Sequence, residues 1–215
     1  MELYKKGSRG YMVKQIQQAL AGAGWKVIVS GIYSDITAEA VREFQFQHHL
    51  AADGVVGPKT LALLLPFRCK KSKRNITEII IHCTATPEGQ DYTVEQIRQD
   101  HIKNRGFSDI GYHYVIYRDG SVHNGRDVDT IGAHCKGHNA TSIGIAYVGG
   151  LEYIPNTEYK KLPPKDTRTL AQVTALIDLL KQLRKDYPQA LIWGHRDFAN
   201  KACPCFNAHR EYQRI

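Results

Sequence analysis

Apolar residues first recur at helical spacing: Val13, Ile16 and Leu20 share one face, and Gly22-Ala23-Gly24 closes the run. Ser34-Asp35-Ile36-Thr37 then offers a helix start, followed by a stripe of Ala40, Val41, Phe44 and Leu50. A third helix is predicted from Gly57-Pro58, with proline at an early helical position and Leu61, Leu64 and Leu65 behind it. After Pro66 the grammar changes. Residues 78–82 form a continuous apolar run of the buried-strand type, and Thr93 with Gln96 makes a capping box. Residues 112–117 and 121–124 predict a hairpin across Arg118-Asp119-Gly120, and residues 142–148 a further strand. Thr169 and Gln172 open a long amphipathic helix carrying Leu176, Leu179, Leu180 and Leu183, ended by Tyr187-Pro188. Residues 190–193 make a last short strand that delivers His195. The pattern predicts a small all-α three-helix domain over residues 1–66, a basic linker over 67–75, and an α/β (α+β) domain over 76–215 with a mixed central sheet flanked by helices.

Composition adds boundaries to this picture. Of 215 residues, 42% are hydrophobic and 23% charged, the balance of an ordinary globular chain. No stretch approaches the ~18 uninterrupted apolar residues of a membrane span, and Met1 to Arg9 lacks the apolar core of a signal peptide. Action outside the cytoplasm would then need release by another agent, or a leader already trimmed. The net charge is +8, and residues 67–75 hold five Lys/Arg with no acid. Such a run can meet an anionic polymer, but confined to one short stretch it reads as a solvated linker, and nucleic acid is not an expected partner. The five cysteines are odd in number and scattered, so they do not form a disulfide framework. One metal thiolate among otherwise incidental thiols fits better.

The candidate chemistry gathers on His82, His195 and Cys203. His82 ends the apolar run Glu78-Ile79-Ile80-Ile81-His82-Cys83, and the other two lie in Gly194-His195-Arg196-Asp197-Phe198-Ala199-Asn200-Lys201-Ala202-Cys203-Pro204. Two imidazoles and one thiolate suit zinc, and three protein ligands rather than four leave a position for water, as catalytic zinc requires. Ten His and five Cys offer other triples, so ligand type alone does not single these out.

The surrounding words do. Ile81-His82-Cys83-Thr84-Ala85-Thr86, Asp109-Ile110-Gly111-Tyr112-His113-Tyr114, Arg118-Asp119-Gly120, Gly132-Ala133-His134-Cys135-Lys136-Gly137-His138-Asn139, Ser142-Ile143-Gly144-Ile145 and Gly194-His195 through Lys201-Ala202-Cys203-Pro204 occur in that order. Residues 76–215 thereby resemble the zinc-dependent N-acetylmuramoyl-L-alanine amidases, the group that includes amidase-type phage lysozymes and peptidoglycan recognition proteins. In the first segment, Phe44-Gln45-Phe46-Gln47 and Asp53-Gly54-Val55-Val56-Gly57-Pro58-Lys59-Thr60 resemble the three-helix peptidoglycan-binding domain of cell-wall hydrolases.

The resemblance implies one catalytic zinc held by His82, His195 and Cys203, with Tyr112 and Lys201 as the two further catalytic groups. Tyr112 would orient the attacking water or take its proton, and Lys201 would supply positive charge to the oxyanion. His134 and Asn139, on a loop rich in glycine and histidine, are candidate substrate contacts; His101, His138 and His209 receive no role, and His113 is expected to face the core. Two positions depart from the commonest phage-type pattern. Cys205 stands where a small hydroxyl residue is usual, and Asn207 stands where an acid is often found, with a helix cap as its alternative role. The implied activity is hydrolysis of the amide between N-acetylmuramic acid and L-alanine, as in a phage or prophage endolysin, with bacterial peptidoglycan as partner and a monomer assumed. The rivals are a recycling amidase acting on soluble wall fragments and a recognition protein that binds peptidoglycan without cutting it.

Overall fold

Helix α1 (Tyr11–Gly22) buries Val13, Ile16 and Leu20 along one face in this computed structural model, which describes residues 3–65 and 67–215. Met1, Glu2 and Pro66, the last at the expected domain break, lie outside the described residues. The chain divides into two compact units, Met1–Phe67 and Arg68–Ile215. In the first, α2 (Asp35–Gln47) starts at Ser34, whose hydroxyl accepts from the Thr37 N–H, and buries Ala40, Val41 and Phe44. Helix α3 (Pro58–Leu64) carries its proline in the first turn and buries Leu64. Leu50 falls beyond the helix expected to carry it, because α2 stops at Gln47 and the Leu50 N–H turns back to the Gln45 carbonyl at 2.8 Å.

A buried glutamine explains the Asp-Gly-Val-Val-Gly-Pro word. Gln45 Oε1 accepts from the Gly54 N–H at 2.9 Å, and its Nε2 donates to the Val55 carbonyl at 2.9 Å and to Thr60 Oγ1 at 3.1 Å. One side chain of α2 thus holds the turn that feeds α3. Gly54 has φ +72°, a left-handed conformation that favours glycine. Its carbonyl accepts from the Tyr33 hydroxyl at 2.9 Å.

The second unit runs β1 (Glu78–Cys83), β2 (Thr86–Pro87), α4 (Val94–Arg105), β3 (Tyr114–Ile116), β4 (Val122–Asn124), β5 (Ser142–Tyr147), β6 (Gly150–Leu151), α5 (Leu170–Asp186), β7 (Leu191–Gly194) and α6 (Ala208–Tyr212). A five-stranded sheet has the order β4-β3-β5-β1-β7. Strand β1 pairs in parallel with β5 and β7, β3 pairs in parallel with β5, and β3–β4 is the antiparallel hairpin. Strands β2 and β6 form a separate short pair that the sequence pattern did not announce. Both faces of the sheet are covered, so β5 is buried at every position and β1 at all but Glu78. Both predicted capping boxes are present, at Thr93/Gln96 and Thr169/Gln172. Gln172 also donates to the Ile116 and Val148 carbonyls, pinning α5 to the sheet. The strand expected from Tyr112 begins at Tyr114: the carbonyls of Tyr112 and His113 are taken by Arg126 and Gly125 N–H, outside a regular ladder.

From Arg68 onward the expected linker belongs to the second unit. Lys70 pairs with Asp127 and Asp129 at 3.1 and 2.8 Å, and buried Ser72 donates to the Val128 carbonyl at 2.7 Å. Arg74 donates to the carbonyls of Val128, Asn139 and Ser142. Lys70 and Arg74 thus have partners within the second unit, while Arg68, Lys71 and Lys73 are exposed. Among the described residues no helix is long and apolar enough to cross a membrane.

The Gln45 network yields a stability prediction. Gln45→Leu leaves the Gly54 N–H, the Val55 carbonyl and the Thr60 hydroxyl without their buried partner, and should cost the first unit about 2–4 kcal/mol. Urea unfolding followed by circular dichroism measures it; a loss under about 1 kcal/mol would show that water replaces the amide.

Candidate metal centre

Strand register does the first part of assembling this site. Ile81 of β1 lies opposite Gly194 of β7 in a parallel pair, so the next residues, His82 and His195, emerge side by side where β7 ends. Cys203 returns from the loop after the short helical turn His195–Asp197, its carbonyl accepting from the Arg196 N–H at 2.7 Å. The Cys203 sulfur accepts from the Cys83 backbone N–H at 3.3 Å, which ties the loop to β1. One nitrogen of each imidazole and the sulfur then lie within 4.8 Å of one another.

The donor set fits zinc. Cys203 Sγ is 3.8 Å from His82 Nδ1, close to the roughly 3.5 Å that a tetrahedral zinc sets between a nitrogen and a sulfur ligand. His82 is fully buried, and burial, with the neighbouring His134, His195 and Lys201, holds its pKa well below the ordinary imidazole value. Burial and then Lys201 lower His195 as well. Both rings are therefore neutral at pH 7, each with a lone pair for a metal.

The other predicted residues are distributed around this point. Tyr112 is buried, with its ring centroid 5.1 Å from that of His82. Burial first, then the sulfurs of Cys203 and Cys83, raise its pKa, so the phenol keeps its proton and can donate a hydrogen bond. Lys201 is exposed on the ligand loop, near enough for its charge to lower both His82 and His195. His134 is buried beside His82, with Nδ1 3.1 Å from His82 Nε2 and Nε2 3.4 Å from Ser142 Oγ. Asn139 Oδ1 accepts from the backbone N–H of His134 and Cys135, bracing the loop. Ser142 carried no signal in the sequence as a site residue; only the pairing of β5 with β1 brings it here.

Several residues without an assigned role prove to be supports. His101 Nδ1 accepts from the Gly111 N–H and its ring packs 5.3 Å from Tyr112. His113, fully buried, accepts from the Gly144 N–H through Nδ1 and faces the Thr130 carbonyl through Nε2. His138 contacts Glu78, and His209 stacks on Trp193 at 4.1 Å. Cys205 lies outside the ligand cluster, its sulfur 3.8 Å from Cys83 Sγ and 3.2 Å from the Gly150 carbonyl. Asn207 caps α6, accepting from the Arg210 N–H at 2.9 Å.

Comparison with known proteins gives the family of each unit. The N-acetylmuramoyl-L-alanine amidase family model matches residues 72–206, and a peptidoglycan binding domain model matches residues 9–64. The endolysin of Enterobacteria phage K11 is 42% identical over 138 residues, covering 64% of this chain and 86% of that protein. The endolysin of Escherichia phage T7 is 38% identical over 144 residues, covering 67% and 90%. Among solved structures, the N-acetylmuramoyl-L-alanine amidase LysC from Clostridium intestinale URNW superposes with a TM-score of 0.51 at 30% identity, covering 64% of this chain and 82% of that one.

The supporting imidazoles give a pH prediction. Burial lowers His101 and His113 to about 4, and protonating either Nδ1 would also break its bond from a backbone N–H. Unfolded, each returns to the ordinary value near 6.5 and binds protons that the folded state refuses. Stability should therefore be fully present above pH 6.5 and fall as pH drops toward 4, by on the order of 3 kcal/mol per imidazole. Denaturant titrations at pH 7.5, 6 and 4.5 measure the slope. In His113→Asn the slope should shrink.

Proposed function

The chain belongs to the N-acetylmuramoyl-L-alanine amidase family, and from that premise we propose a zinc-dependent peptidoglycan hydrolase of the endolysin kind, with Tyr112 and Lys201 as its catalytic side chains. The reaction hydrolyses the amide between the lactyl group of N-acetylmuramic acid and L-alanine: water adds across the C–N bond, the acyl carbon keeps the oxygen, and the amine leaves protonated. The observation that carries this reading is the convergence of His82, His195 and Cys203 within 4.8 Å where the paired ends of β1 and β7 meet the ligand loop. Bound zinc supplies Lewis acidity toward the scissile carbonyl and toward water.

The chain's own residues supply the rest. Two neutral imidazoles and one thiolate leave the metal with a net charge near +1, and the Lys201 ammonium adds a second positive charge on the exposed side of the loop. That charge is placed to stabilise the oxyanion that develops on the carbonyl oxygen. Tyr112, held in the phenol form, orients the attacking water by donating a hydrogen bond rather than abstracting a proton. The amino-terminal unit holds the polymer and raises the local concentration of amide bonds near the site, without any change at the metal. Acting on the cell wall, such an enzyme meets an insoluble substrate, which favours an anchored hydrolase over one that recycles soluble fragments.

The test is mass spectrometry of purified peptidoglycan after incubation with the protein. Released stem peptides should bear free L-alanine amino termini; a chelator should abolish release and added zinc restore it. Cys203→Ser should lose zinc and activity together. Lys201→Ala should keep zinc and lower kcat by about 10²–10³-fold, and Tyr112→Phe should also lower kcat with zinc retained. Sedimentation with sacculi but no released peptide would replace this reading with recognition alone.

A further inference from the structure

A buried chain of hydrogen bonds behind the metal centre can be followed proton by proton. The Ser142 hydroxyl donates to the His138 carbonyl at 2.7 Å. A hydroxyl has one proton, so toward His134 Nε2, 3.4 Å away, Ser142 can only accept. Nε2 of His134 must then carry the ring proton, which leaves Nδ1 as an acceptor in the neutral imidazole. That nitrogen lies 3.1 Å from His82 Nε2, so His82 is the donor and its own proton sits on Nε2. The lone pair of His82 is left on Nδ1, the nitrogen 3.8 Å from Cys203 Sγ. Each assignment forces the next, from a backbone carbonyl to a metal ligand.

The ring of His134 is also held in place sterically. A Cβ built on Gly144 would fall 2.5 Å from His134 Cδ2 and 2.6 Å from Cγ, and one on Gly132 would fall 2.5 Å from the same Cδ2. Real side-chain atoms do not approach so closely, so the imidazole occupies a slot whose walls are two residues without side chains. Ser142 and Gly144 both belong to β5, the strand paired with β1 in the register that sets His82 opposite Ala146. Acceptor, one wall of the slot and ligand are therefore fixed by one pair of strands, and the loop at Gly132 supplies the other wall.

We infer that His134 and Ser142 are positioning residues for the metal site: together they fix which nitrogen of His82 is offered to the metal and the plane in which its ring lies. This rests on the zinc reading above, because it assigns His82 Nδ1 as a ligand atom. A carboxylate or carbonyl behind a metal-bound histidine commonly plays this part; here a second histidine does so, with its own tautomer set by a serine. Both ring nitrogens of His134 are thereby occupied within the protein, and its role is support of the metal ligand.

Two measurements test the inference. Long-range ¹H–¹⁵N correlation spectra of the labelled full-length protein report histidine tautomers directly. His82 and His134 should both carry the proton on Nε2; the Nδ1–H tautomer on either ring overturns the assignment. Zinc affinity, from competition with a chromophoric chelator, reads the consequence. His134→Leu should bind zinc about 10- to 100-fold more weakly, Ser142→Ala more weakly by a smaller factor, and His134→Asn, whose amide oxygen can accept near the Nδ1 position, should recover part of the loss. A purely structural role predicts instead that metal-free melting temperatures fall while zinc affinity stays within twofold of wild type, and that result overturns the proposal. If His134→Leu does not fold, Ser142→Ala and the wild-type tautomers decide. Wild-type protein that takes up no zinc would defeat the zinc reading itself, whereas wild-type binding with unaffected variants defeats only this inference.

Discussion

Parallel pairing of β1 with a neighbour on each side is the constraint on which the second unit depends. Against β7 it brings His82 and His195 together; against β5 it sets Ser142 and Gly144 behind them. A slip of one residue would turn His82 to the opposite face of the sheet and dissolve the centre. The register is secured by the apolar run itself: Ile79, Ile80 and Ile81 are fully buried, as are Ile143 and Ile145 opposite. The same hydrophobic burial that stabilises the sheet thus determines the position of the chemistry, and the loop carrying Cys203 needs only to close over a pair of ligands already set.

Placing so many imidazoles in a dry interior is tolerable only if each is neutral and each nitrogen has an assignment. His113 and His134 meet this with partners at both ring nitrogens, and His101 accepts from a backbone N–H through Nδ1. Burial lowers the basicity of His82 and His195 as well and leaves them lone pairs, so stability and the proposed metal binding point the same way. Positive charge is kept at the edge, on Lys201 and on Arg74, which spends its donors on carbonyls.

Much of this was legible in the chain. The stripes of Val13, Ile16 and Leu20 and of Leu176, Leu179, Leu180 and Leu183, and the capping residues Ser34, Thr93 and Thr169, mark helices because periodicity and capping are local properties. The candidate ligands His82, His195 and Cys203 were legible from the words around them, and their donor atoms lie within 4.8 Å of one another in the fold. What escaped was non-local. Nothing near Ser142 or His134 in sequence indicates that they meet behind His82, since that depends on which strands pair. The short β2–β6 ladder and the engagement of Lys70 with Asp127 and Asp129 escaped for the same reason: partners more than fifty residues apart leave no periodic trace. Most of the charge run is solvent-exposed as its composition suggests, and only the acids opposite reveal that Lys70 is also paired.

The two glycines that wall the His134 slot carry a consequence for how such a protein can drift. Gly132 and Gly144 have no side chain to contribute, yet a single added methyl at either would collide with the imidazole behind the ligand. The tolerance of the centre to mutation is then set partly by empty volume. Loss of function could begin at a residue that touches neither metal nor wall, through the gain of an atom, and a catalogue of functional side chains alone would overlook both positions.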